Sequence, residues 1–224
     1  MIDAGTRTEI DRLRVEVAEL HQELIRWNLV VWTAGNVSAR VPGADLMIVK
    51  PSGLDYRQIT PESMVLTDLH GAVVEGEHAP SSDAAAAGYV FRHLPEVGGV
   101  VHTHSTYATA FAARREPIPC VLTMMADEFG GDIPVGPFAV IGDDSIGRGI
   151  VETLQGHRSP AVLMANHGPF TIGPTARAAV KTAAMCEEVA HTVHTARQGG
   201  PLHPIEPSAI DSLHARYQHV YGQR

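Results

Sequence analysis

The 224-residue sequence predicts an α/β fold in which most strands run antiparallel. Two observations lead there. Apolar residues recur at helical spacing in several stretches, and the short β-rich runs between them are joined by many connections too brief to hold a crossover helix. A third observation, the lack of any internal repeat or linker-like stretch, places one domain across residues 1–224.

In chain order, Ile10, Leu13, Val17, Leu20 and Leu24 step by three and four between about residues 6 and 28, predicting an amphipathic helix that packs on the sheet. A turn at Gly35-Asn36 precedes the β-like runs VSARV (37–41) and LMIVK (46–50), separated by Pro42-Gly43. MVLTDL and AVVEG, bridged by His70-Gly71, form a second such pair. Ser81-Ser82-Asp83 reads as the capped start of a helix through AAAAGYVFRHL, which Pro95 ends. GGVVHTH (98–104) is a buried strand running into Ser105, which can cap the helix TYATAFAARR. Residues 141–154 read as a helix, PAVLMANHG as a strand ending in a turn, PFTIG as a short strand, and TARAAVKTAAMCEEVAHTVHTAR as a long amphipathic helix; a last helix covers about 208–219.

Composition removes several classes of function. Seventeen Lys+Arg against 25 Asp+Glu, with no basic cluster, argue against a nucleic-acid partner. No run approaches the ~20 apolar residues of a membrane span, and the charged N-terminus lacks a signal-peptide pattern, so no membrane partner is expected and a cytoplasmic protein is. The two cysteines, Cys120 and Cys186, indicate neither a disulfide framework nor a thiolate metal site. Histidine stands out, with 13 residues.

His102 and His104 flank one residue, and on an extended strand such side chains share a face, making a pair of potential metal ligands. Asn166-His167-Gly168 supplies a third imidazole at a strand end, where the glycine is expected to permit a sharp turn. Asp83, at a helix start, adds a carboxylate. Three imidazoles and a carboxylate suit Zn²⁺ or a similar divalent ion. Three loops, Gly35-Asn36-Val37-Ser38, Lys50-Pro51-Ser52-Gly53 and Pro80-Ser81-Ser82, offer backbone donors, hydroxyls and one lysine, a combination that suits a phosphate. Each loop alone reads more readily as an ordinary turn, and their value lies in occurring together with the metal set.

GNVSAR, KPSG, PSSD, VGGVVHTHSTYA and NHGPFTIG, in this order between residues 35 and 173, resemble the class II aldolase and L-ribulose-5-phosphate 4-epimerase family. The resemblance implies a layered α/β/α fold with a mostly antiparallel central sheet, and a homo-oligomer, a cyclic tetramer with active sites between subunits. It further implies one divalent metal per subunit, Zn or alternatively Mn or Co, held by Asp83, His102, His104 and His167. Gly35, Asn36, Ser52, Gly53, Ser81 and Ser82 match the family's phosphate-binding positions, and Lys50 its lysine beside a sugar-phosphate substrate.

Within the family, the aldolases carry a glutamate in an S-S-E motif, whereas the epimerases carry S-S-D, an aspartate in T-x-x-A-D-x-F and a tyrosine in a C-terminal Y-G-Q. Here Asp83 completes S-S-D, Thr123 to Phe129 contains Asp127, and the chain ends Tyr221-Gly222-Gln223-Arg224. The epimerase reading therefore leads, with Asp127 and Tyr221 as acid and base, and with arabinose catabolism as its implied context. A ketose-1-phosphate aldolase of the L-fuculose-1-phosphate type or a sugar-phosphate dehydratase uses the same metal and phosphate loops. A metal-free domain like the adducin head and a mononuclear iron oxygenase are more distant alternatives.

Overall fold

The computed structural model describes residues 2–220. Helix α1 (Ala4–Arg26) begins where the Asp3 carboxylate accepts the Gly5 and Thr6 amides. The strands β1 (Asn36–Arg40), β2 (Leu46–Val49), β3 (Val65–Asp68) and β4 (Val73–Glu75) follow as an antiparallel ladder. Next come α2 (Ala84–His93), β5 (Gly99–His102), α3 (Thr106–Arg114) and α4 (Thr123–Phe129). The chain continues with β6 (Val135–Gly136), α5 (Ser145–Leu154), β7 (Ala161–Met164), β8 (Gly168–Gly173), α6 (Ala176–Arg197) and α7 (Pro207–Val220).

These strands form one sheet in the order β4-β3-β2-β1-β5-β8-β7-β6. Among the described strands only β6 and β7 pair in parallel, and α5 is the crossover between them. Consecutive residues of a strand serve opposite faces. Ile48 joins the core formed with α1 and α6, while its neighbours Met47 and Val49 join the core formed with α2 and α5. A third apolar cluster joins α3, α4 and α6 beside β7. The architecture is thus an α/β fold with a central sheet flanked by helices. No described helix is long and apolar enough to cross a membrane.

Pairing directions place the chemistry. Because β1 runs antiparallel to β2 and β5, and β8 antiparallel to β5, one edge of the sheet collects the start of β1, the ends of β2 and β5, and the start of β8. The register sets Asn36 opposite His102, and His102 opposite Phe170.

Local differences from the sequence reading have physical causes. The helix predicted over 141–154 starts at Ser145, because the Asp143 carboxylate accepts the Ser145 amide at 2.8 Å and Ile141 is drawn into a bridge with Asp143. Residues 123–129 form a helix that apolar spacing does not announce. Asp83 and Ser105 stand at helix starts but make no side-chain cap. The sharp turn before β8 is made by Asn166, with φ +58°, and not by Gly168. Gly168 is required for clearance instead, since a Cβ there would lie 2.8 Å from the Thr103 carbonyl.

Candidate active site

β5 ends at His102, so His104 lies beyond the strand, yet the two rings still converge, with centroids 4.7 Å apart. His167, in the turn between β7 and β8, brings a third ring 4.5 Å from His102 and 5.4 Å from His104. One nitrogen from each of the three lies within 4.8 Å of the others. His102 is stacked on Phe170 at 4.1 Å, and its Nδ1 donates to the Pro169 carbonyl at 3.0 Å. That donation leaves the lone pair on Nε2, which sits 2.8 Å from Nε2 of His104. Nitrogen atoms at that distance need a proton or a cation between them. Burial, reinforced by the neighbouring imidazoles, holds His102 well below the ordinary histidine range. Burial lowers His104 and His167 as well. The rings are therefore kept neutral and ready to donate lone pairs.

Asp83 is buried at the head of α2. Its Oδ2 accepts from Asn36 Nδ2 at 2.7 Å, and its Oδ1 is buried without a hydrogen-bond partner. Burial raises its pKa, while the Asn36 bond and the charge of His104 pull the other way. A buried carboxylate oxygen left unpartnered beside converging imidazoles fits a divalent cation. The residues present therefore suit the metal that the donor set implies.

Lys50 is 2% exposed, and its Nζ donates to the carbonyls of Thr33 and Pro51, each at 3.2 Å. Burial lowers its pKa. Two neutral acceptors leave most of its charge uncompensated, an environment that suits an anionic ligand. The loops around it are tied together: Ser52 donates its amide to Ala79, and Ser81 donates its amide to Lys50. Gly35 takes φ +82°, and a Cβ there would approach the His102 carbonyl to 2.9 Å.

One cleft of about 320 Å³ collects Gly35, Asn36, Lys50, Ser52, Gly53, Ser81, Ser82, Asp83, His102, His104 and His167. Asp127 is not among its lining residues. It lies on α4, which packs against α7, and His214 Nδ1 contacts its carbonyl at 3.1 Å. Tyr221 lies outside the described residues.

The cleft also contains parts with no sequence signal. Thr33 contributes through its carbonyl, which any residue carries, and Ile141 reaches the lining from a distant loop. The Tyr56 hydroxyl donates toward the carbonyls of Ala34 and Gly35, at 2.9 and 3.0 Å, and so shapes the Gly35 loop from beneath. These contributions depend on chain crossings, not on local residue spacing.

Residues 15–194 match the model of the Class II Aldolase and Adducin N-terminal domain. The chain belongs to the class II aldolase and adducin N-terminal domain family. Among solved structures, an L-fuculose 1-phosphate aldolase is 27% identical, with a TM-score of 0.85 over 92% of this chain and 95% of that one. The protein YgbL from Klebsiella pneumoniae is 26% identical, with a TM-score of 0.80 over 91% of this chain and 98% of its own. The L-fuculose-1-phosphate aldolase from Thermus thermophilus, at 24% identity and a TM-score of 0.70 over 85% of this chain and 100% of its own, shares the fold. The central sheet flanked by helices is thus that of class II aldolase structures.

Proposed function

We propose that the chain is a metal-dependent epimerase that interconverts L-ribulose 5-phosphate and D-xylulose 5-phosphate at C4. The observation that carries this reading is the single cleft in which three neutral imidazoles and a buried carboxylate adjoin a buried, uncompensated lysine and three small-residue loops. One end suits a divalent cation and the other a phosphate.

The C4 hydrogen of a pentulose phosphate is not acidic, because the carbonyl is at C2. Simple deprotonation therefore does not invert C4, and the aldolase family to which the chain belongs points to a route that breaks and remakes the C3–C4 bond. His102, His104, His167 and Asp83 would hold one divalent ion per subunit, with zinc the first candidate and manganese or cobalt alternatives. When bound, that ion supplies positive charge against which electron density on the C2 and C3 oxygens is stabilised. Lys50, Ser52, Gly53, Ser81, Ser82, Gly35 and Asn36 hold the phosphate. That grip retains the glycolaldehyde phosphate fragment while it turns its other carbonyl face toward the bond to be remade. Asp127 and Tyr221 serve as acid and base at the C4 hydroxyl, one for each face.

The Asp83 side chain supports the epimerase over an aldolase. It is short and held by Asn36 at 2.7 Å, which suits a fixed ligand better than a mobile base. Because Asp127 lies outside the cleft lining of its own chain, the proposal includes a homo-oligomer, a cyclic tetramer, in which a second copy brings Asp127 and Tyr221 to the cleft. Exposed apolar side chains lie close in sequence to the cleft lining, with Val31 and Trp32 just before Thr33 and Phe138 and Val140 just before Ile141; such residues favour contact with another chain.

The test is incubation of the metal-loaded chain with L-ribulose 5-phosphate, with D-xylulose 5-phosphate followed by NMR beside a chelated control. Metal-dependent conversion without free glycolaldehyde phosphate is expected. Inert L-ribulose 5-phosphate together with cleavage of a ketose 1-phosphate would favour the second reading, an aldolase, which the similarity to an L-fuculose 1-phosphate aldolase supports.

A further inference from the structure

We infer that Asn166 is a positioning residue for His167, locking that imidazole to the C-terminal end of α3; the inference rests on the metal-binding reading of the three histidines. Helix ends leave carbonyls without intrahelical partners. At the end of α3, the Ala112 carbonyl accepts the Asn166 amide at 2.9 Å beside the Arg115 amide at 3.1 Å, and the Ala113 carbonyl accepts Asn166 Nδ2 at 3.4 Å. The other end of the same side chain, Oδ1, accepts from Arg115 Nε at 2.8 Å. Asn166 thus caps α3 from a remote part of the chain, and both ends of its amide are used.

Its backbone matters equally. Asn166 takes φ +58°, a left-handed conformation that asparagine tolerates better than most other L-residues. This single residue turns the chain between β7 and β8 so that His167 faces His102 and His104. The opposite end of α3 is held as firmly, since the Glu187 carboxylate accepts the amides of Tyr107 and Ala108, each at 2.9 Å. His104 precedes α3 by two residues. A helix anchored at both ends therefore connects the segment bearing His104 to the turn bearing His167, and Asn166 is the link at the His167 end. Asn166 and Arg115 are themselves exposed, so neither is needed to fill the core.

The test uses the full chain, stripped of metal and then titrated with Zn²⁺ against a chromogenic chelator, with the thermal midpoint of the metal-free protein measured in parallel. Asn166→Ala is expected to weaken Zn²⁺ binding about 10- to 100-fold, the range typical of residues that orient a ligand from behind. Asn166→Gly, which accepts φ +58° without steric cost, is expected to recover part of that loss. Arg115→Met, an exposed substitution that removes one arm of the lock, is expected to weaken binding several-fold and keeps the inference testable if the alanine variant folds poorly. Wild-type affinity in Asn166→Ala overturns the inference, as does a lowered midpoint with unchanged affinity or a glycine variant that binds more weakly than the alanine variant. A wild-type chain that takes up no Zn²⁺ overturns the metal reading itself, and the inference with it.

Discussion

His21 sets an acid limit on the fold from outside the cleft. It is fully buried on α1, where Nδ1 donates to the Val17 carbonyl at 2.7 Å, leaving Nε2 to accept the Val37 amide at 3.1 Å. Burial, with a smaller contribution from the Lys50 charge, pushes its pKa from 6.5 down to about 4. The Tyr56 ring is the other titratable neighbour, 5.9 Å away. Between those two pKa values the unfolded chain binds a proton that the folded chain refuses. The stability contribution is therefore complete above pH 6.5 and falls as the pH drops toward 4. At pH 5 this residue is expected to cost about 2 kcal/mol relative to pH 7.5. Urea unfolding at the two pH values, on the wild type and on His21→Gln, checks it: the variant should lose about that much less on acidification. At the same scale, His104→Asn is expected to lose both bound metal and turnover, read by elemental analysis and the epimerase assay. The histidines of the cleft were legible because H-x-H and N-H-G are local patterns. His21 was not, because one histidine in an amphipathic helix carries no mark of which carbonyl and amide it will meet.

Among the elements, α4 is a helix that apolar spacing does not announce, and side chains from two other helices hold it. Seven residues are too few for a helical period to stand out, and short helices gain most of their stability from tertiary contacts. The buried Glu128 carboxylate of α4 accepts from Lys181 on α6 and from Tyr217 on α7, both at 2.8 Å, with the Thr182 hydroxyl at 3.3 Å. Lys181 Nζ and the Tyr217 hydroxyl are themselves 3.1 Å apart. This arrangement fastens α7 to the helices that carry it. Glu128→Gln is expected to cost about 2 kcal/mol, the typical worth of a hydrogen bond to a charged group. Amide hydrogen exchange should then rise over residues 207–220 while the strands at the cleft stay protected; uniform protection would show that α7 docks without the carboxylate. By contrast, α1 and α6 could be read in advance from apolar residues repeating at helical spacing over longer stretches, and α2 and α3 from the small polar residues that precede them.

For the whole molecule, the proposed division of the site between copies has a direct consequence. Asp127→Asn is expected to lose most turnover while keeping its metal, and His104→Asn to lose its metal. If one chain supplies the metal cleft and its neighbour supplies Asp127, mixing the two inactive variants under conditions of subunit exchange should restore part of the activity. No recovery, with mixed oligomers demonstrated by mass spectrometry, would place the whole site within one chain.

Local pattern was enough to determine that the chain is α/β and mostly antiparallel, where most elements lie, and which histidines, aspartate, lysine and small-residue loops merit attention. Those properties depend on periodicity and on residue chemistry, which are written along the chain. Only the tertiary structure decided that β1 inserts between β2 and β5, bringing Asn36 opposite His102 and the Lys50 loop to the same edge of the sheet. It also decided that Asn166, not Gly168, makes the turn before β8, and that Asp127 lies outside the cleft of its own chain. Strand order, register and buried polar partners are settled by contacts between residues far apart in sequence, and such contacts have no local signature.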